Sequence, residues 1–230
     1  MIPVTTRPEE APSDPPFRAS PTLRVALAYA SAALVLLLTR YAPSFSPLGP
    51  TAALFAWLAF VTAVTALLPT AVVVLALRRP LSACGLTWGR ARRDLRWIAA
   101  ALVAAVALAA LVSRAPEVHA FYPRFQIVKA APLWWIPTTL AFAAYGLSWE
   151  LLFRGYLLLA LTDRLGPWSI LLQTIPFALA HMDKPPLELW LSIPAALAFG
   201  VAAYRTRSIL PGFLVHFTLS TSINLFCAHD

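Results

Sequence analysis

The stretch SWELLFRG, residues 148–155, sets a glutamate and an arginine, Glu150 and Arg154, inside an apolar segment of a chain that is 60% hydrophobic. Charged side chains are costly at membrane depth, and a chain that keeps them there uses them. Glu150 and Arg154 are four residues apart, hence on one helix face, with the carboxylate on the favourable N-terminal side. One reading is a self-neutralising pair that locks helices together. The other is a working carboxylate kept ionised by its own counter-ion.

The surrounding segments decide the class. Mean hydropathy is +0.72 and only 12% of residues are charged, while a helical crossing of a bilayer takes ~20 apolar residues. Seven spans are predicted, at 25–41, 51–77, 97–113, 133–165, 168–182, 187–204 and 208–226. The fourth is too long for a simple crossing and the fifth is short. Trp97, Trp134, Trp135, Trp168 and Trp190 lie near segment ends, where amphipathic rings favour the interface. The fold class is therefore all-α: a polytopic membrane protein of about seven transmembrane helices. Residues 1–22 hold six prolines and little apolar material, so they are expected to form a disordered tail ahead of one membrane domain, 23–230. No cleaved signal peptide is read at the start. Cys84 and Cys227 have no metal or redox spacing.

A net charge of +8 raises nucleic acid as a partner, but its location excludes that reading. Arg78, Arg79, Arg90, Arg92, Arg93 and Arg96 crowd the loop between the second and third spans. Short arginine-rich loops stay in the cytoplasm and meet anionic headgroups. With that loop inside, alternation places 12 Lys and Arg on the inner side and five on the outer, with Arg154 within a span. The N-terminus is then cytoplasmic, and the number of crossings odd. Arginine- and alanine-rich composition suggests a bacterial cell membrane.

Of ten acidic residues, Glu150 alone lies well inside an apolar run, with Glu188 at the edge of another. Of four histidines, His181 and His216 lie in predicted spans. Ionisable groups on separate membrane helices each need a polar partner away from lipid, which is the pattern of a buried site. Phe177 and His181 are four apart, as are His216, Ser220 and Asn224, so the last span carries a polar stripe. Small polar residues on such a helix are most often glue between helices.

Gly166 and Pro167 should turn residues 149–165 back against 168–182 as a helical hairpin. Glu150 and His181 are each about fifteen residues from that turn, or ~23 Å along a helix, so the two should face each other. Pro176, one turn before His181, is expected to open the helix to water. A carboxylate and an imidazole sharing a wet pocket can activate water, and His216 can donate to a developing oxyanion. No His-Glu-x-x-His run marks a zinc site, no repeated broken helices mark a transporter, and no cofactor is expected.

WELLFRGYLL, then FALAH, then a histidine-bearing last span resemble the motifs of the CAAX-protease and bacteriocin-processing family (CPBP, or Abi), whose members are intramembrane glutamic endopeptidases. The resemblance covers about residues 133–224, with the family pattern Glu-Glu-x-x-x-Arg, Phe-x-x-x-His and His-x-x-x-Asn. It implies a water-activating Glu and His, an oxyanion-stabilising last motif, a membrane-associated protein or peptide tail as substrate, and the bilayer as surroundings. Two positions depart from the pattern. Trp149 stands where the first glutamate of the pair is expected, and Ser220 stands where the asparagine is, with Asn224 one turn further along. Three readings follow: an inactive relative serving as a membrane scaffold, immunity or binding protein; a Glu150 that has taken the water-activating role; or recruitment of Glu188. The Trp-Glu motif and the run HMDKPPLEL also resemble a bacterial subgroup that includes the myxosortases.

The inferred topology puts the DKPP turn after His181 outside the cell. In a background without Cys84 and Cys227, an impermeant thiol reagent on intact cells should label a cysteine placed at Asp183 and spare one at Arg92. The reverse labelling would invert the topology.

Overall fold

A computed structural model describes residues 20–93 and 95–229. Residues 1–19, most of the predicted tail, lie outside that description. The first helix, α1 (Pro21–Arg40), begins within the segment predicted as tail. The Ser20 side chain accepts a hydrogen bond from the Leu23 amide at 3.2 Å, and proline suits the first turn, where its missing N–H costs nothing. The sequence supplied a cap that the proline count had masked.

Six further principal helices follow: α2 (Pro50–Ala71), α3 (Leu95–Val112), α4 (Trp135–Glu150), α5 (Trp168–Leu179), α6 (Pro186–Thr206) and α7 (Leu210–His229). Among the described residues, α1, α2 with its continuation, α3, α6 and α7 are each long and apolar enough to cross a membrane. The remaining two form the predicted hairpin and explain the odd lengths of the fourth and fifth spans. Helix α4 runs on as a π-helix over Leu151–Leu158, tightens to 3-10 over Leu159–Leu161, and ends in a turn at Thr162–Leu165. Gly166 then reverses the chain at φ 53°, a left-handed conformation that a residue without Cβ adopts freely.

The π segment is the centre of the molecule. All eight of its residues are buried, and α1, α2, α5 and α6 pack around it. Helix α7 lies against α3, and α2 lies along α4. Buried hydroxyls stitch these elements together. Ser31 on α1 meets Tyr156 at 2.7 Å, and Thr65 on α2 donates to Ser148 on α4 at 2.6 Å. On α5, the Gln173 amide donates to the Ala196 carbonyl of α6 at 3.0 Å. Such bonds supply what apolar burial cannot between helices already in lipid.

The outer surface is apolar. Trp97, Trp168 and Trp190 are exposed near the starts of α3, α5 and α6, with Leu67, Val103, Leu111 and Ile175 exposed along helix shafts. A surface of this kind is a lipid-facing one. Trp134 and Trp135, also predicted at an interface, instead pack against the buried cluster of Leu58, Phe125 and Val128.

The connections fall on two faces. On one, the arginine-rich loop touches both neighbouring turns: Arg79 pairs with Asp163, and the Ile209 amide donates to the Gly85 carbonyl at 3.0 Å. On the other, Arg40 pairs with Asp183 at 3.4 Å, and the strap 113–134 between α3 and α4 reaches the start of α6 through Tyr122 and Glu188. This grouping is the alternation expected for consecutive crossings. Gly155, in the middle of the π segment, lets its backbone approach the arginine-rich loop: a Cβ there would lie 2.9 Å from Leu151 Cδ1 and 3.0 Å from the Cys84 carbonyl oxygen. Gly155→Ala should therefore lower stability by about 1–3 kcal/mol, the usual scale for overpacking, read as a lower melting temperature in detergent. An unchanged melt would mean that the loop yields freely.

Candidate active site

Glu150 ends α4 and Arg154 lies one turn on, within the π segment. Both are fully buried. Arg154 Nη1 donates to Glu150 Oε1 at 2.9 Å, and His216 Nδ1 from α7 reaches the same oxygen at 3.0 Å. The guanidinium carbon sits 4.2 Å from the ring centre of Phe177 and 5.3 Å from that of Phe199, so aromatic faces cover the cation where hydrogen bonds do not. Glu150 Oε2 and Arg154 Nε and Nη2 have no hydrogen-bond partner. Gly212 makes room for that carboxylate, since a Cβ on it would stand 3.3 Å from Glu150 Oε2.

His181 lies on the turn just beyond α5. Its Nδ1 is 2.8 Å from the Phe177 carbonyl oxygen. A carbonyl only accepts, so Nδ1 carries the proton and the neutral ring keeps its lone pair at Nε2. The same logic puts a proton on His216 Nδ1 opposite Glu150. The two imidazole rings are 6.4 Å apart, centre to centre. Both line a cavity of about 90 Å³, together with Trp149, Tyr122, Arg124, Lys184 and Glu188.

The structure brings together Glu150, Arg154, Phe177, His181 and His216, but with different partners from those expected. Glu150 is bonded to His216 rather than facing His181, and it stands behind His216 instead of in the cavity wall. The count along the hairpin assumed uniform α-helical rise. The eight-residue π segment changes both rise and rotation, and α5 ends at Leu179, before His181. Helix α5 runs on through Pro176, which has no N–H to give the Leu172 carbonyl, and the Ala180 amide bonds back to the Pro176 carbonyl at 3.0 Å.

Ser220 lines the cavity. Asn224 does not: its Oδ1 accepts the Arg124 amide at 2.7 Å and its Nδ2 donates to the Ser220 carbonyl at 2.8 Å, pinning the strap to α7. Glu188 is in the cavity wall, as are Lys184 and Tyr122, which sequence reasoning did not single out. Lys184 precedes Glu188 by four residues in a helix-entry turn, a signal that was legible. Tyr122 comes from the strap, and no local pattern announces its contact.

A helical, lipid-facing protein with a histidine and carboxylate site buried among its helices is the class these features define. Residues 129–222 match the family described as type II CAAX prenyl endopeptidase Rce1-like. That segment, less than half of the chain, is similar to this protease family, and the five long apolar helices make the protein an integral membrane protein. Neither a curated protein nor a solved structure matches it.

The buried pair generates a stability prediction. Arg154→Met strands the Glu150 carboxylate and should cost about 3–5 kcal/mol, the scale for unpairing a buried charge. Glu150→Gln with Arg154→Met removes both charges and should recover part of that loss. Thermal unfolding of the purified variants in detergent checks it; a single variant as stable as the wild type would mean that the carboxylate is not ionised there.

Proposed function

We propose that the protein is an intramembrane endopeptidase that hydrolyses a peptide bond near the end of a membrane-associated protein tail, in the bacterial cell membrane with its N-terminus in the cytoplasm. What carries the reading is the pair of imidazoles lining one cavity, one of them tied to a buried carboxylate. His181 Nε2 acts as the base that takes a proton from water. The oxygen adds to the scissile carbonyl carbon. His216, held in place by Glu150, is the donor to the oxygen that becomes negative. The C–N bond then breaks, and the proton on His181 passes to the departing amine. Glu150 acts through His216 and is a positioning residue; Arg154 balances its charge, and Phe177 holds His181 through its carbonyl and Arg154 through its ring. Ser220 faces the cavity where the substrate chain would lie.

The arginine-rich loop supports an orientation in which the cavity face, with the 180–185 turn and the strap, is exterior. Trimming of exported proteins suits that orientation better than trimming of cytosolic tails. The test is a proteolysis assay in membranes against tail-anchored candidate substrates. His181→Ala should abolish turnover, and His216→Ala should lower it by ~100-fold or more, the scale for losing an oxyanion donor. Glu150→Gln should fall with His216→Ala, and the double variant should be no worse than the lower single, because the two work as a unit. Full turnover in His181→Ala would remove the base assigned here.

A further inference from the structure

The carboxylate behind His216 cannot touch a molecule in the cavity. Glu150 Oε1 is occupied by Arg154 and His216, Oε2 is buried against Gly212, and the residue is fully inaccessible. Trp149, at the neighbouring position on the helix, fills part of the cavity wall with an indole. The carboxylate that does face the cavity comes from another helix. Glu188, in the first turn of α6, lines the same cavity as His181 and His216, and a fifth of its side chain, 20%, is exposed.

Glu188 is held in a closed triangle. Lys184 Nζ is 3.2 Å from Glu188 Oε1, Tyr122 donates its hydroxyl proton to Glu188 Oε2 at 2.7 Å, and Lys184 Nζ donates to the Tyr122 oxygen at 2.8 Å. The directions are forced, since an ammonium has only donors: the phenol accepts from Lys184 and gives its proton to Glu188. Burial first, and the Glu188 charge second, raise the Tyr122 phenol well above its ordinary value, so it keeps that proton through the neutral range. Each carboxylate oxygen retains a lone pair beyond these bonds. Lys184, Tyr122 and Glu188 come from a turn, a strap and a helix, and they converge at the cavity that holds the two imidazoles.

We propose that Glu188 is the carboxylate that touches the attacking water in this chain, with Lys184 and Tyr122 as its positioning residues. The inference rests on the hydrolase reading above. Glu188 accepts one O–H of the water, and the other O–H faces His181 Nε2, which takes the proton as the C–O bond forms. Glu188 takes no proton in this step, and the proton held by His181 leaves with the amine. The carboxylate supplied by α6 thereby stands in for one that Trp149 excludes from α4.

The full chain is assayed in lipid vesicles against a membrane-anchored reporter peptide. Glu188→Gln should lower kcat by about 100-fold, the lower range for a group that assists proton transfer, with KM unchanged. Lys184→Met should lower kcat at unchanged KM, and Lys184→Arg should restore it, which a purely structural role would not require. If Glu188→Gln also lowers the melting temperature, Glu188→Ala with added formate decides: revived turnover supports the assignment and none overturns it. Wild-type kcat in Glu188→Gln overturns the inference and leaves the endopeptidase reading standing. A wild-type chain that cleaves nothing, beside a Trp149→Glu variant that does, overturns both.

Discussion

A carboxylate and a guanidinium sealed from both water and lipid must neutralise each other, and the centre of this protein is built around that requirement. Neither Glu150 nor Arg154 is exposed, and desolvation on this scale is offset only when geometry is good and remaining faces are covered. The coverage comes from four directions: His216 from α7, the ring of Phe177 from α5, the ring of Phe199 from α6, and the bare backbone at Gly212. Each is an element that must arrive in a fixed place for the pair to be tolerated. The ion pair is thus a registration device for the helices as much as a chemical group.

The π segment serves the same end. All eight of residues 151–158 are buried, because α1, α2, α5 and α6 pack around them. Wider turns of this kind recur at functional sites. Here the segment is flanked by the tight contact of Gly155 with the Cys84 carbonyl on one side and by the aromatic covering of Arg154 on the other.

The membrane class, the approximate spans and the hairpin were legible because hydropathy and helix length report the bilayer directly. So were Glu150, Arg154, His181 and His216, since ionisable groups stand out against an apolar background. Pairings were less legible. The sequence matched Glu150 with His181 by counting residues at one rise, and a stretch of π-helix that nothing in Leu151–Leu158 announces moved the partner to His216. Asn224 was legible as part of a polar stripe, but not as the pin of a strap, because its partner is a backbone amide a hundred residues away. Tyr122 belongs to the same strap and was invisible for the same reason. Local periodicity carries no information on where an irregular connection folds back.

The family match covers residues 129–222, yet half of the packing around its central segment comes from outside it. Helices α1 and α2 wall the π segment, Ser31 satisfies the Tyr156 hydroxyl, and the Gly85 carbonyl holds the entry to α7. The recognisable segment is therefore not an autonomous folding unit. Cut free, it would present the buried face of Leu151–Leu158 and the unpartnered Tyr156 hydroxyl to lipid. Swapping it between relatives would succeed only where the donor's first two helices travel with it, so the modular boundary of this protein lies well upstream of the one its motifs mark.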